Sequence, residues 1–229
     1  FASGNMKVGD SYFIASVSKL YTAAVLFQLM DLGKINLDDS IKHYLPEHVL
    51  HKLHICQNID YSNDITIRHL VTNTSGLADY FLQDKNDGNN LLDYLVSNGD
   101  TSLTFEQIIE RTKELPSKFP PGTPGKAYYS DGNFQLLGKI IENVTGKPMH
   151  EVYEELIFGP LALEQTYLYH NPSDTTPSDF YHKDQVLCIP KMMASFQADG
   201  GIVSTTEETL IFLRAHLNRE LHSQDFAKL

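Results

Sequence analysis

Hydrophobic positions are densest shortly after the start of the chain, between Val17 and Leu32. Apolar side chains there fall on nearly every side of a helical wheel, which is typical of a helix buried in protein on most sides. Gly33 follows directly, and glycine is the residue most often found where a helix ends. The pattern therefore predicts a buried central helix around which the rest of the chain is arranged.

Further helices are predicted where a polar capping residue precedes apolar positions at helical spacing. They are expected after Thr66, from Thr104 to about Leu115, from Asp131 to Gly146, from Met149 to Phe158, and from Thr205 to Leu217. The glycine-containing residues 198–204 predict a bend or a short strand, and residues 1–9 predict the tail of a strand. Two polar stretches, residues 83–90 and 171–185, predict exposed loops.

Composition narrows the class of protein without identifying it. The 229 residues are 41% hydrophobic, which is enough for one large domain or for a domain with a subdomain. A net charge of -11 disfavours a nucleic-acid partner, because the phosphate backbone is itself anionic. No apolar run reaches the length of about 18 residues that a transmembrane helix needs. The two cysteines, Cys56 and Cys188, leave the disulfide state and the redox compartment open.

Candidate chemistry appears where the central helix begins. Ser16 and Lys19 are three positions apart, so on a helix their side chains lie on the same face. A serine hydroxyl becomes a good nucleophile when a nearby base takes its proton, and a lysine in a dry pocket has a lowered pKa and can be that base. The partial positive charge of the helix N-terminus would favour an oxyanion there. The alternative is that Ser16 only caps the helix.

A second candidate is Tyr129, which lies between a proline-rich loop at residues 120–125 and the helix that starts near Asp131. A phenol held at that position could share a proton with Lys19 if the fold brings the two together. The alternative is that Tyr129 is a half-buried aromatic residue and that Ser130 or Asp131 caps the helix.

Other short patterns are weaker. His48, His51 and His54 are metal-ligand residue types, but steps of three drift around a helix, so the rings would not converge. Ser75 precedes a glycine without the strand–turn–helix elbow of a nucleophile, which favours a turn residue. No metal site is predicted. Gly200 and the following glycine are not part of a nucleotide-binding motif, and no cofactor is predicted.

Taken in order, several stretches resemble one known family. They are residues 13–19, 33–39, 65–77, 121–123, 129–131 with 136–138, and 200–205. The chain is similar to the serine β-lactamase and penicillin-binding-protein-like family, in the branch of class C β-lactamases, D-Ala-D-Ala carboxypeptidases and related esterases. The resemblance implies an α/β (α+β) fold of the β-lactamase/transpeptidase type, with residues 1–229 forming a single β-lactamase-like domain.

The resemblance also implies roles for the candidate residues. Ser16 would form an acyl-enzyme with a β-lactam, a D-Ala-D-Ala peptide or an ester, Lys19 would help to deprotonate it, and Tyr129 would relay the proton. Asp131 stands where the family has an asparagine that contacts the lysine and the substrate, so it is a candidate substrate-binding residue. A carboxylate at that position would pair with Lys19, raise the lysine pKa and disfavour substrates with an acylamino side chain.

One expected motif is missing. The family has a Lys or His followed by x-Gly on a strand after the last helix, and no good candidate follows that helix before Leu229. We therefore expect a domain incomplete at both ends, dominated by its helical lobe and lacking most of the antiparallel sheet. The substrate would be a small molecule or a peptidoglycan peptide, and the resemblance favours a periplasmic, secreted or cell-surface protein. The alternative is a catalytically weak or inactive relative that acts as a binding or regulatory module.

Overall fold

A computed structural model describes residues 2, 4–84 and 88–223 of the chain. The α-helices in chain order are α1 (Ser18–Asp31), α2 (Glu47–Leu50), α3 (Ile67–Val71), α4 (Leu91–Asn98), α5 (Phe105–Glu114), α6 (Asp131–Thr145), α7 (Met149–Tyr153), α8 (Pro190–Ser195) and α9 (Thr206–Leu217). A π-helical segment, Glu154–Phe158, continues α7. None of the described helices is both long enough and apolar enough to cross a bilayer.

The strands are short and antiparallel. They are β1 (Tyr12–Phe13), β2 (Ile55–Cys56), β3 (Ile59–Asp60), β4 (Tyr167–Leu168), β5 (Tyr181–His182), β6 (Gln185–Val186) and β7 (Ile202–Ser204). The largest described sheet has the order β1-β7-β4, with Phe13 opposite Val203 and Tyr167 opposite the same residue. The other two sheets are the hairpins β2–β3 and β5–β6. The structure thus confirms the predicted combination of a dominant helical part and a small antiparallel sheet.

Helix α1 is the centre of the core, as the hydrophobic pattern predicts. Tyr21, Leu26 and Leu29 are fully or almost fully buried, and α1 packs against α6 and against a 3-10 turn at residues 197–199. The helix ends before Gly33, whose φ of +67° is a conformation that glycine adopts without strain. The apolar faces of α3, α6, α7 and α9 complete the main hydrophobic cluster around it.

Helix α6 and the turn at residues 197–199 approach each other closely beside the candidate site. A side-chain Cβ at Gly138 of α6 would lie 2.5 Å from the Cβ of Ala198, so only glycine allows the helix to approach this turn so closely. Because Ala198 precedes Asp199, this contact places the Asp199 backbone beside the start of α1.

The structure corrects several element predictions. The first described strand lies at Tyr12–Phe13, and the described residues within 1–9 form no strand. The hairpin β5–β6 interrupts residues 171–185, and helices α4 and α8 were not predicted. Part of the loop predicted at 83–90 falls on residues 85–87, outside the described residues. Gln83, at the start of that loop, is buried, and its amide donates to the Pro116 carbonyl.

The capping predictions are confirmed at two helices and only in part at the last. The side chains of Thr66 and Thr104 each accept a backbone N–H at the start of α3 and α5. Thr205 caps α9 in the same way, but the carboxylate of Glu208 instead accepts hydrogen bonds from the Gln165 backbone and the Thr166 hydroxyl. The spacing of Thr205 and Glu208 predicts a reciprocal capping box, and tertiary partners replace its second half.

Candidate active site

Ser16 lies on a single 3-10 turn, Ala15–Val17, between β1 and α1. Ala15 has a φ of +47°, a conformation that residues other than glycine rarely adopt and that here turns the chain sharply before the serine. The turn is fixed to the central strand, because the Ile14 N–H donates to Ile202 O at 3.1 Å and the Ile202 N–H donates to Ser18 Oγ at 3.1 Å. The side chain of Ser16 is thereby held at the protein surface at the N-terminal end of α1.

The structure brings Ser16, Lys19 and Tyr129 together. Lys19 Nζ donates to Ser16 Oγ at 3.2 Å, and Tyr129 OH donates to the same oxygen at 2.7 Å. Lys19 Nζ also lies 5.1 Å from the centroid of the Tyr129 ring. The hydroxyl, the amine and the phenol therefore meet in one place, although Tyr129 lies 113 residues from Ser16 in the sequence.

The surroundings of Lys19 favour its charged form. Its Nζ lies 2.6 Å from Asp131 Oδ1 and donates to the Asp199 carbonyl. Burial by itself lowers the pKa of Lys19, but the nearby Asp131 carboxylate and the hydrogen bonds of Lys19 outweigh burial and raise the pKa above its ordinary value. A raised pKa is expected for a lysine paired with Asp131, whereas a lowered pKa is expected for a lysine in a dry pocket.

Asp199 is a buried acid that the sequence did not single out. Its Oδ2 accepts hydrogen bonds from Tyr80 OH at 2.7 Å and from the Gln135 amide at 3.1 Å. Burial raises the pKa of Asp199 well above its usual range, and the neighbouring Asp131 raises it further. The side chain therefore favours the neutral acid, and its backbone carbonyl is the group that contacts Lys19.

A third acid, Asp79, orders the backbone on the other side of Asp131. Its carboxylate accepts from the Asp131 N–H at 3.1 Å and from the Leu82 N–H at 3.0 Å. Burial raises the pKa of Asp79, and Asp131 contributes in the same direction. The signal that could have revealed Asp79 is an acidic residue within the otherwise apolar run 77–82, since a buried carboxyl needs partners. Asp199 is followed by two glycines and lies in no apolar run, so it has no such signal.

The loop that carries Tyr129 is held by Asn73, which has a φ of +56°. The Asn73 carbonyl accepts from the Tyr128 N–H at 2.9 Å, and its side-chain oxygen accepts from the Ser130 N–H at 3.2 Å. The amide of Asn133 donates to the same side-chain oxygen at 2.8 Å. These bonds fix the backbone on both sides of Tyr129 and direct its ring toward Ser16.

The two serines considered in the alternatives take structural positions. Ser130 precedes α6, but its hydroxyl donates to the Ala78 carbonyl at 2.9 Å and does not cap the helix. Ser75 is buried, and its hydroxyl donates to Asn133 at 2.7 Å. Both hydroxyls therefore join the turn at residues 73–78 to the start of α6.

A cleft with a cavity volume of about 140 Å³ opens beside Ser16. Its polar floor contains Ser16, Asp131 and Asp199. Its apolar walls come from the segments around α4, α8 and the β5–β6 hairpin, and they contain Phe81, Leu92, Phe180, Ile189, Met193 and Phe196. These walls had no signal in the sequence, because most of them lie on or beside elements that no local pattern predicts.

The histidines of the 48–54 segment do not share one environment. His48 and His51 are exposed, whereas His54 is fully buried. Burial lowers the pKa of His54, which favours the neutral ring. Within the described residues, the structure contains no group of three or more side chains arranged to hold a metal ion.

Comparison with known proteins gives one consistent result. A model of the family described as Beta-lactamase matches residues 2–228. A putative D-alanyl-D-alanine carboxypeptidase of Escherichia coli (strain K12) is 33% identical over 159 residues, which cover 69% of this chain and 34% of the relative. A teichoic acid D-alanine hydrolase of Staphylococcus aureus is 32% identical over 159 residues, with 69% and 32% covered. The chain thus spans about a third of the length of the curated relatives it matches.

Solved structures agree with these relatives. A D-stereospecific amidohydrolase from Streptomyces sp. superimposes with a TM-score of 0.81 at 26% identity, and the alignment covers 97% of this chain and 65% of that one. A D-amino acid amidase from Ochrobactrum anthropi SV3 has a TM-score of 0.73 at 24% identity and shows the same fold. The similarities confirm the β-lactamase/transpeptidase-like fold that the motifs predicted.

Proposed function

Since the chain belongs to the Beta-lactamase family, whose model matches residues 2–228, we propose that it carries the nucleophile of a serine hydrolase and that Ser16 forms an acyl-enzyme. The observation that carries the proposal is that Ser16 Oγ accepts hydrogen bonds from both Lys19 Nζ and Tyr129 OH. A serine with a structural role alone has no need of a cation and a phenol on the same hydroxyl oxygen at the mouth of an apolar cleft.

In the proposed acylation step, Ser16 Oγ attacks the carbonyl carbon of the acyl donor. The hydrogen bond between the two hydroxyls first reverses, so that the phenol faces the leaving group and the serine donates to the Tyr129 oxygen. The proton of the serine hydroxyl then passes to that oxygen, while the phenol gives its own proton to the leaving amine or alcohol. The bond between the carbonyl carbon and the leaving group breaks, and the bond to Oγ remains as an ester. Tyr129 is neutral before and after the step, so proton transfer does not require a stable phenolate.

Lys19 acts in this proposal as a cation, because its pKa is raised. The ammonium stabilises the negative charge that develops on Oγ as the proton leaves. The Ser16 backbone N–H and the N-terminus of α1 stabilise the oxyanion on the substrate. This assignment differs from a lysine base and agrees with the short ion pair between Lys19 and Asp131.

Deacylation reverses the proton path. A water molecule attacks the ester carbonyl and gives its proton to the Tyr129 oxygen, and the phenol returns a proton to Ser16 Oγ as the ester bond breaks. The acid product leaves and the resting enzyme is restored. The substrate is a small-molecule or peptidoglycan-peptide acyl donor: a β-lactam, a D-Ala-D-Ala peptide or an ester.

The proposal is tested by labelling the whole protein with a fluorescent fluorophosphonate and locating the adduct by mass spectrometry. We expect one adduct on Ser16 and no adduct on Ser16→Ala. Ser173→Ala is the matched control, because Ser173 is an exposed serine in a loop and should not affect labelling. A wild-type protein that is folded but forms no adduct with fluorophosphonate or with a fluorescent penicillin contradicts the proposal and favours a binding or regulatory module.

A further inference from the structure

The side chain of Asp131 uses only one of its oxygens on Lys19. Oδ1 lies 2.6 Å from Lys19 Nζ, and, within the part of the chain that the structure describes, Oδ2 has no hydrogen-bond partner. Asp131 also lines the cleft beside Ser16. A carboxylate can only accept hydrogen bonds, so a substrate group that meets Oδ2 must donate them.

Asp131 is also close enough to the nucleophile to contact a group next to the scissile bond. Ser16 Oγ and Asp131 Oδ1 both lie within 3.2 Å of the same atom, Lys19 Nζ. In an amino acid derivative the α-nitrogen is only two bonds from the carbonyl carbon that Oγ attacks. When that carbonyl carbon contacts Oγ, the α-nitrogen therefore lies close to Asp131.

The charges of the nearby groups leave room for a cation at this position. The ammonium of Lys19 is offset by its ion pair with Asp131, and His182 is a further basic side chain in the lining of the cleft. Burial raises the pKa of Asp199 and favours its neutral form, while Tyr80 and Gln135 donate to its Oδ2. An ammonium can donate to Asp131 Oδ2 and brings an opposite charge, whereas the carbonyl oxygen of an acylamino group would face a carboxylate that has no hydrogen to give.

The apolar walls of the cleft determine which substrate side chain fits. Phe81 and Phe196 pack edge to face, with ring centroids 5.0 Å apart, and Leu92, Ile189 and Met193 add further apolar surface. A cleft with a cavity volume of about 140 Å³ and such a lining suits an aromatic or large aliphatic side chain.

We propose that Asp131 and these walls select an acyl donor with a free, protonated α-amino group and a bulky apolar side chain, such as an ester or amide of an aromatic amino acid. This inference rests on the proposed function of Ser16. It makes Asp131 a specificity-determining residue, in the place where an asparagine would accept acylamino substrates.

The test compares two substrates within each variant. The whole protein is assayed at about pH 6.5, where a free α-amino group is mostly protonated, with phenylalanine methyl ester and N-acetylphenylalanine methyl ester in both enantiomeric forms. The readout is the ratio of kcat/KM for the free amine to kcat/KM for the N-acetyl ester. Any general effect of a substitution on Lys19 or on folding cancels in this ratio.

We expect the wild-type ratio to exceed one for the preferred enantiomer, and Asp131→Asn to lower it by about ten-fold or more, the usual effect of one charge-assisted hydrogen bond. Asp184→Asn, an exposed aspartate in the β5–β6 turn, should leave the ratio unchanged. The glycine methyl ester pair serves as the side-chain control and should be hydrolysed more slowly than the phenylalanine pair.

The two proposals fail in different ways. If fluorophosphonate labels Ser16 but the wild type prefers the N-acetyl ester, or if Asp131→Asn leaves the ratio unchanged, the selection by Asp131 is wrong and the nucleophile stands. A glycine ester hydrolysed as fast as the phenylalanine ester overturns the role of the apolar walls. If no label forms on Ser16, both proposals fall.

Discussion

Lys19 connects the parts of the candidate site at the scale of single residues. Its Nζ contacts Ser16 Oγ, Asp131 Oδ1 and the Asp199 carbonyl, so one amine joins the start of α1, the start of α6 and the turn at residues 197–199. Burial lowers the pKa of Lys19, and the adjacent Asp131 carboxylate opposes burial and favours the charged amine. The protonation state of the site is thus decided by residues far from Ser16 in the sequence.

This arrangement predicts a pH shift in Asp131→Asn. The pKa of Lys19 is raised in the wild type, and removing the Asp131 carboxylate leaves burial less opposed, so the pKa of Lys19 falls. The rate of fluorophosphonate labelling, measured between pH 6 and pH 11, should therefore show its lysine inflection at lower pH in the variant than in the wild type. The inflection should move to lower pH whether labelling needs the charged or the neutral amine of Lys19.

Asp184→Asn serves as the control and should keep the wild-type inflection, because Asp184 lies in an exposed turn. An inflection that does not move, or that moves to higher pH, would show that Asp131 does not determine the charge of Lys19.

A site residue could be predicted from the sequence only where it forms a recognisable pattern with its neighbours in the chain. Ser16 and Lys19 form a short motif, and Tyr129 stands on a loop held by prolines, so the sequence was sufficient to select them as candidates. Asp199 is 180 residues from Lys19, and its contact depends on the packing of α6 against a turn. No local sequence pattern reveals such a contact, so around Asp199 the sequence indicates only a bend or a short strand.

At the scale of elements, the packing of α6 against the turn at residues 197–199 holds the site together. Gly138→Ala would place a Cβ 2.5 Å from the Cβ of Ala198. We expect it to lower the free energy of unfolding by about 1–3 kcal/mol, the usual cost of overpacking a core. Because the displaced turn carries Asp199, labelling of Ser16 should slow as well.

The double variant Gly138→Ala with Ala198→Gly removes the atom that would clash and is the matched control. Urea unfolding should show that it is more stable than the sum of the two single effects predicts. If Gly138→Ala unfolds at the wild-type urea concentration, or if the two substitutions are additive, the close approach does not constrain the site.

Helix α9 adds a stability effect that depends on pH. His216 is buried, stacks on Phe212 and lies 3.0 Å from His222, and burial together with His222 lowers its pKa to about 4. Between pH 6.5 and about 4 the unfolded chain binds a proton that folded His216 does not, so acidification across this window destabilises the fold by about 1.4 kcal/mol per pH unit at most.

The measurement is the free energy of unfolding in urea between pH 7 and pH 5. His216→Leu should reduce the slope of stability against pH, whatever its effect at neutral pH, and His48→Gln at an exposed position should retain the wild-type slope. An unchanged slope in His216→Leu would assign the acid sensitivity to other groups.

Elements with self-contained signals were the ones predicted. Helices α1, α3, α5, α6 and α9 have a cap, a periodic apolar face or a glycine stop within their own residues. Helix α8 spans only Pro190–Ser195, and its backbone start is held by Asp100, 91 residues away. The strands consist of two or three residues each, too short for an alternating pattern to be recognised.

At the scale of the whole molecule, family resemblance carried more information than any element. The ordered stretches from residue 13 to residue 205 indicated the fold that the comparisons confirm. The prediction of one domain over residues 1–229 stays a prediction, and so does the substrate class, because the chain spans about a third of its curated relatives. Substrate choice depends on cleft walls that meet only in the folded chain, and no sequence pattern describes them.

The net charge of -11 makes a last prediction about how substrates reach the site. A strongly anionic surface attracts a cationic acyl donor over a distance that salt shortens, since the Debye length falls from about 30 Å at 0.01 M to about 8 Å at 0.15 M. For the free-amino phenylalanine ester at about pH 6.5, kcat/KM should therefore decrease a few-fold over this range. The uncharged N-acetyl ester should show little change and is the matched control.

Asp131→Asn separates this long-range effect from local recognition. The substitution removes one of many negative charges, so the salt dependence for the cationic ester should persist while the preference for that ester falls. Equal salt dependence for the two esters in the wild type would mean that the field of the whole chain does not steer the substrate, and that any preference arises within the cleft alone.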